Sequence, residues 1–118
     1  ELVGTVKNLT TEYQKADVFV LPSRFEGYGM VLSEALAHGL PIISTDAGAI
    51  PEVVPKSAGI LVSPGDHLAL AAAMQKIIVD RDLRKEMQLN AQTIAHDLPS
   101  WKNCAEFVIK GLEEISRP

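Results

Sequence analysis

Two hydrophobic patterns divide the chain. Up to Val62, short apolar runs alternate with stretches whose apolar residues recur at helical spacing, and beyond Gly65 only the helical spacing remains. Leu2 to Val6 is a short, partly β-branched run that reads as a strand. Asp17 to Leu21, closed by Pro22, then Pro41 to Thr45 and Ala58 to Val62 are each too short for an independent helix. They read as strands buried in a parallel sheet. Between them, Thr10 or Thr11 is placed to cap a brief helix through Tyr13 and Lys15. A second helix follows Gly29, where Val31, Leu32, Ala35 and Leu36 share a face and Gly39 with Pro41 supplies the stop. Strands alternating with helices predict βαβ units, hence an α/β fold with a partial parallel sheet of about four strands between helices.

The remainder predicts helices only. Asp66 and Asp80 stand where N-caps belong, before segments beginning at His67 and Arg81. Leu70, Met74, Ile77 and Ile78 form one apolar stripe, and Leu83, Met87, Ala91 and Ile94 another. Pro99 and Ser100 introduce a last helix with its stripe at Trp101, Ala105, Val108, Leu112 and Ile115. Trp101 is assigned to the core from its place in that stripe, and Cys104 to packing.

Composition narrows the function classes. A chain of 118 residues fits one domain, 1–118, and buries about two-thirds of its unfolded surface. A net charge of −4 offers no basic face for nucleic acid and no polybasic segment for acidic lipid. No run approaches the length of a membrane span, and no signal peptide is visible. The single cysteine excludes an internal disulfide, and His38, His67 and His96 are scattered without ligand spacing. Asp46, Glu52 and Asp66 are explained by turns and caps. A reducing, cytoplasmic setting is expected.

Candidate chemistry gathers in Phe25 to Gly39. Gly27, Tyr28 and Gly29 put no Ser, Thr, Asp or Asn at the helix start, so its first amides stay free. Free N–H groups, the positive dipole end and close backbone approach at glycine favour an anion such as phosphate. Glu34 lies ~7 Å along the helix, and Glu26 precedes it in the loop. Carboxylates repel phosphate but accept hydrogen bonds from sugar hydroxyls, so the matching ligand carries hydroxyls on both sides of a diphosphate. A nucleotide sugar has that layout. The plainer alternative is that Glu26 complements the helix dipole and Glu34 is a solvated helix residue.

Glu26 and Glu34, separated by seven residues, resemble the Glu-x7-Glu signature in the donor-binding half of glycosyltransferase family 4. The resemblance extends through Ala16–Ser23, Gly39–Thr45, Gly48–Val54, Gly59–Asp66 and Leu68–Ala71, in order. Ala47 before Gly48 departs from the Gly-Gly of many relatives. A bare pair of glutamates is weak; the ordered segments are specific. The resemblance implies the Rossmann-like C-terminal domain of a retaining glycosyltransferase of GT-B fold. It implies transfer from a nucleotide diphosphate sugar to an acceptor hydroxyl, with no metal and no cofactor beyond the donor substrate.

By the same resemblance Glu26 is the catalytic residue, holding hydroxyls of the donor sugar. Gly27 and Tyr28, with the amides of Gly29, Met30 and Val31, face phosphate or sugar, and Glu34 takes the ribose hydroxyls. Val6, with Thr5 and Lys7, matches the region facing the base. The chain then reads as a truncated domain, lacking the N-terminal acceptor domain and the Arg and Lys that neutralise the diphosphate in the family. Such a piece is expected to be inactive alone. Its acceptor is a saccharide, a lipid-linked sugar or a small molecule, and peripheral membrane association would run through the N-terminal domain. A noncatalytic nucleotide-recognition or interaction module and a nucleotide-sugar epimerase are the alternatives.

Overall fold

Alternation of side chains along three short strands decides how this chain layers. In a computed structural model describing residues 1–98 and 100–116, β1 (Phe19–Leu21), β2 (Ile42–Thr45) and β3 (Gly59–Val62) form a parallel sheet in that order. Phe19 pairs with Ile42 and Ile42 with Gly59, which brings the carboxyl ends of the strands to one edge. Phe19, Leu21, Ile42 and Leu61 point into one core, and Val20, Ile43, Ile60 and Val62 into the other.

Helices cover both faces. The first core is filled by Leu32, Ala35 and Leu36 of α2 (Met30–Ala37), Ile50 of α3 (Ile50–Val53), Tyr13 of α1 (Thr10–Lys15) and Ala91 of α5 (Arg81–Asp97). Ala73 and Ile77 of α4 (His67–Val79) fill the second, together with Met87 of α5. The α5 helix thus serves both layers, with Leu83 and Met87 in one core and Ala91 and Ile94 in the other.

Helix ends follow the side chains. The carboxylates of Asp66 and Asp80 each accept the amide three residues on, both at 2.9 Å, as N-caps do. Arg84 closes the end of α4 by donating to the carbonyls of Ile77 and Ile78, both at 3.0 Å. Ser100 and Asn103 cap α6 (Trp101–Ser116) reciprocally.

Several expectations are corrected. Among the described residues three strands form rather than about four: Leu2–Val6 is irregular, because Gly4 at φ 72° breaks its extension and no neighbouring strand is present there to pair with it. Neither Thr10 nor Thr11 caps α1. Leu9 holds the cap position, and the Thr10 amide donates to Asn8 Oδ1. Only Ile77 of the α4 stripe is fully buried, with Met74 and Ile78 turned outward, because Ala73 faces the sheet instead. Trp101 is not core but 86% exposed, and Ala105, Val108, Leu112 and Ile115 are exposed with it. Neither core takes a residue from α6, since both sheet faces are already filled by earlier helices. Cys104, on the same helix, is exposed rather than packed. Pro99 lies outside the described residues.

Candidate functional site

The site forms where β1 and β2 end. The loop Pro22–Gly29 leaves β1 toward α2, and its path is fixed from the side by the polar end of β2. Ser44 and Thr45 are buried, and their hydroxyls donate to the backbone carbonyls of Leu21 and Ser23. Ser23 Oγ in turn donates to Glu26 Oε1 at 2.8 Å, which turns the half-buried carboxylate back on its own loop. The carbonyl of Glu26 accepts the Ala49 amide at 3.1 Å. Gly48, at φ 59°, lies against that carbonyl so closely that a Cβ would fall 2.2 Å from the oxygen. No other residue fits there without moving Glu26.

Gly29 begins α2 in the left-handed region at φ 70°, with no side chain capping the helix. Its carbonyl accepts the Leu32 amide at 2.8 Å, while the N–H groups of Gly29, Met30 and Val31 find no acceptor among the described residues. Tyr28 and Met30 are exposed and Val31 marginally so, so the amides lie beside an open surface although Gly29 itself is buried. An anion reaching this surface meets unpaired donors and the positive end of the helix.

Glu34 stands one turn along, on the exposed side of α2. It accepts a hydrogen bond from the Tyr13 hydroxyl at 3.1 Å on Oε2. Burial and the neighbouring carboxylate raise the pKa of this phenol above its ordinary 10.0, so it remains a donor at neutral pH.

Two cavities share Glu34. One, of about 450 Å³, is lined by Val6–Thr10, Tyr13, Ala37 and His38. The other, of about 470 Å³ and largely apolar, is lined by Tyr28, Met30, Ser33, Leu98, Trp101 and Cys104. The fold therefore brings Val6 to Glu34 on one side and Tyr28 and Met30 to it on the other. Glu26, Gly27 and Val31 line neither cavity, and Glu26 belongs to the loop packed on Gly48. Tyr13 was legible only as a helix residue, because its contact with Glu34 joins positions 21 apart. Among the described residues, no group of His, Cys, Asp or Glu is placed to hold a metal ion. None of the described helices is long and apolar enough to cross a membrane.

A parallel α/β sheet whose first strand leads into an uncapped helix, with Glu26 before that helix and Glu34 within it, presents free backbone donors and two carboxylates where β1 ends. Residues 1–80 match the family described as Glycosyl transferases group 1, and the chain belongs to that family. It is 36% identical over 116 residues to D-inositol 3-phosphate glycosyltransferase of Corynebacterium jeikeium, covering 98% of this chain and 26% of the relative. Sulfoquinovosyl transferase SQD2 of Arabidopsis thaliana is 36% identical over 88 residues, 70% of this chain and 17% of that protein. Sucrose-phosphate synthase from Thermosynechococcus elongatus superposes with a TM-score of 0.81 at 32% identity, over 91% of this chain and 27% of that one. The chain thus spans about a quarter or less of the length of these relatives.

Proposed function

We propose that this chain is the donor-binding part of a retaining glycosyltransferase of family 4 and GT-B fold, which moves a sugar from a nucleotide diphosphate donor to an acceptor hydroxyl. The observation that carries the reading is the uncapped start of α2, with the amides of Gly29, Met30 and Val31 unpaired and Glu34 standing in the wall of two adjoining cavities. Placed on those amides, a diphosphate has Glu34 within reach of one flank, where its carboxylate accepts from ribose hydroxyls. The groove lined by Val6 then receives the base.

On the other flank Glu26 takes hydroxyls of the transferred sugar, and Gly27 and Tyr28 close the loop around it. Retention of anomeric configuration puts the acceptor hydroxyl on the same face as the leaving diphosphate. The main electrostatic task is stabilising charge on that leaving group, and preorganised amides do so best in a cleft closed against water. We assign the closing wall, the acceptor site and the cations that balance the diphosphate to the rest of a two-domain protein. The donor is a substrate, and no further cofactor enters the scheme.

The test uses the full-length protein and titrates uridine, guanosine and adenosine diphosphate sugars by calorimetry, with turnover measured on the donor that binds. Glu26→Gln is expected to abolish transfer while nucleotide binding stays largely intact. Unchanged turnover removes Glu26 from the chemistry. Absence of binding by every donor favours a noncatalytic module of the same fold, and interconversion of the donor sugar without transfer favours an epimerase.

A further inference from the structure

We infer that Tyr13 is a positioning residue for the donor nucleoside, holding the Glu34 carboxylate in the orientation that receives the ribose hydroxyls. The inference rests on the reading of Glu34 as the ribose acceptor given above. It starts from the freedom of an exposed glutamate, whose side chain must lose about 1.5–2 kcal/mol of rotamer entropy to point one way. In this fold an O–H donor meets Oε2 at 3.1 Å before any ligand arrives, leaving Oε1 unengaged to accept from ribose.

The donor is itself held. Tyr13 is the buried residue of α1, its ring stacked on His38 at 5.0 Å and 18° and tilted against Phe19 at 6.0 Å. Phe19 of β1 and His38 at the end of α2 thus hold the ring on two sides, and its hydroxyl is presented to Glu34. The same side chain lines the groove that also contains Val6, Lys7 and Asn8. One side chain therefore touches the carboxylate and lines the same groove as the segment before α1, beside the wall assigned to the base. The raised pKa of the phenol agrees with a group that keeps its proton and donates throughout the neutral range.

The test compares the preferred nucleoside diphosphate with its 2′,3′-dideoxy counterpart, using calorimetry on full-length wild type, Tyr13→Phe, Glu34→Gln and the double variant. Phenylalanine keeps the ring and its stacking, and the unfolding midpoint verifies the fold. Tyr13→Phe is expected to weaken the ribose form about tenfold and leave the dideoxy form unchanged, with the double variant no weaker than Glu34→Gln. If wild type prefers the ribose form and Tyr13→Phe keeps that preference, the positioning role is overturned while the ribose reading stands. If wild type shows no preference, or binds no nucleoside diphosphate, the ribose reading falls and the inference with it. If Tyr13→Phe weakens both forms equally, Tyr13 is structural and the inference is overturned.

Discussion

Gly48→Ala tests how the Glu26 loop is held. A methyl group at this position would fall 2.2 Å from the Glu26 carbonyl oxygen and 3.1 Å from its carbonyl carbon and amide nitrogen, all backbone atoms that no rotamer change removes. The gap must open to the 3.0 Å or more of a real methyl contact, a shift of roughly 0.8 Å in the backbone of Glu26. Alanine also carries a penalty of about 1–2 kcal/mol for staying at positive φ. Moving the carbonyl strains the hydrogen bond from the Ala49 amide, worth about 1 kcal/mol more. The expected loss is therefore about 2–3 kcal/mol of stability. If Glu26 holds the transferred sugar as proposed, a displacement near 1 Å there costs on the order of 100-fold in turnover. Gly65→Ala is the control, because Gly65 has φ 85° but nothing within 4 Å of its missing Cβ. It should show the backbone penalty alone and keep its turnover. Denaturant unfolding and turnover of both full-length variants decide the matter. A Gly48→Ala protein as active as Gly65→Ala would refute the claim that this contact positions Glu26.

Further outcomes follow from other contacts. Thr45→Val removes the donor to the Ser23 carbonyl and leaves it short of a partner, for a loss of about 1–3 kcal/mol in denaturant unfolding, together with reduced turnover. Asp66→Ala and Asp80→Ala each remove an N-cap and should each cost about 1 kcal/mol with no effect on donor binding by calorimetry. Tyr13 has its pKa raised on folding, so its contribution is fully present below pH 10.0 and is lost as pH rises through the folded value. Unfolding measured in alkaline buffers should show that decline, and Tyr13→Phe should flatten it.

Much of the fold was legible where two signals agreed. Asp17–Leu21, Pro41–Thr45 and Ala58–Val62 combined apolar runs with turn residues, and each contains a strand. Asp66 and Asp80 announced their helices because a cap is a local interaction, readable within three residues. Leu2–Val6 misled because strand propensity says nothing about whether a neighbour exists to pair with. The α3 helix, one turn with Pro51 near its start, is shorter than any periodicity can register. Trp101 shows a different limit: an amphipathic stripe states that a face suits burial, not what buries it.

At the site, the uncapped helix start was readable from the absence of a capping side chain before Met30. What held Glu26 and Glu34 was not. Ser23 meets Glu26 within the loop, but Thr45, Gly48 and Tyr13 act from distant parts of the sequence, through contacts that only the packing of β2 beside β1 and of α1 against α2 creates.

The dual allegiance of α5 sets a lower bound on the smallest piece of this protein that could fold. Cutting after residue 80, where the family match stops, would discard Met87 and Ala91 and leave a hole in each layer at once. Neither half could compensate for the other, so any minimal version must run through Leu98, whose side chain seals the last of the inner packing.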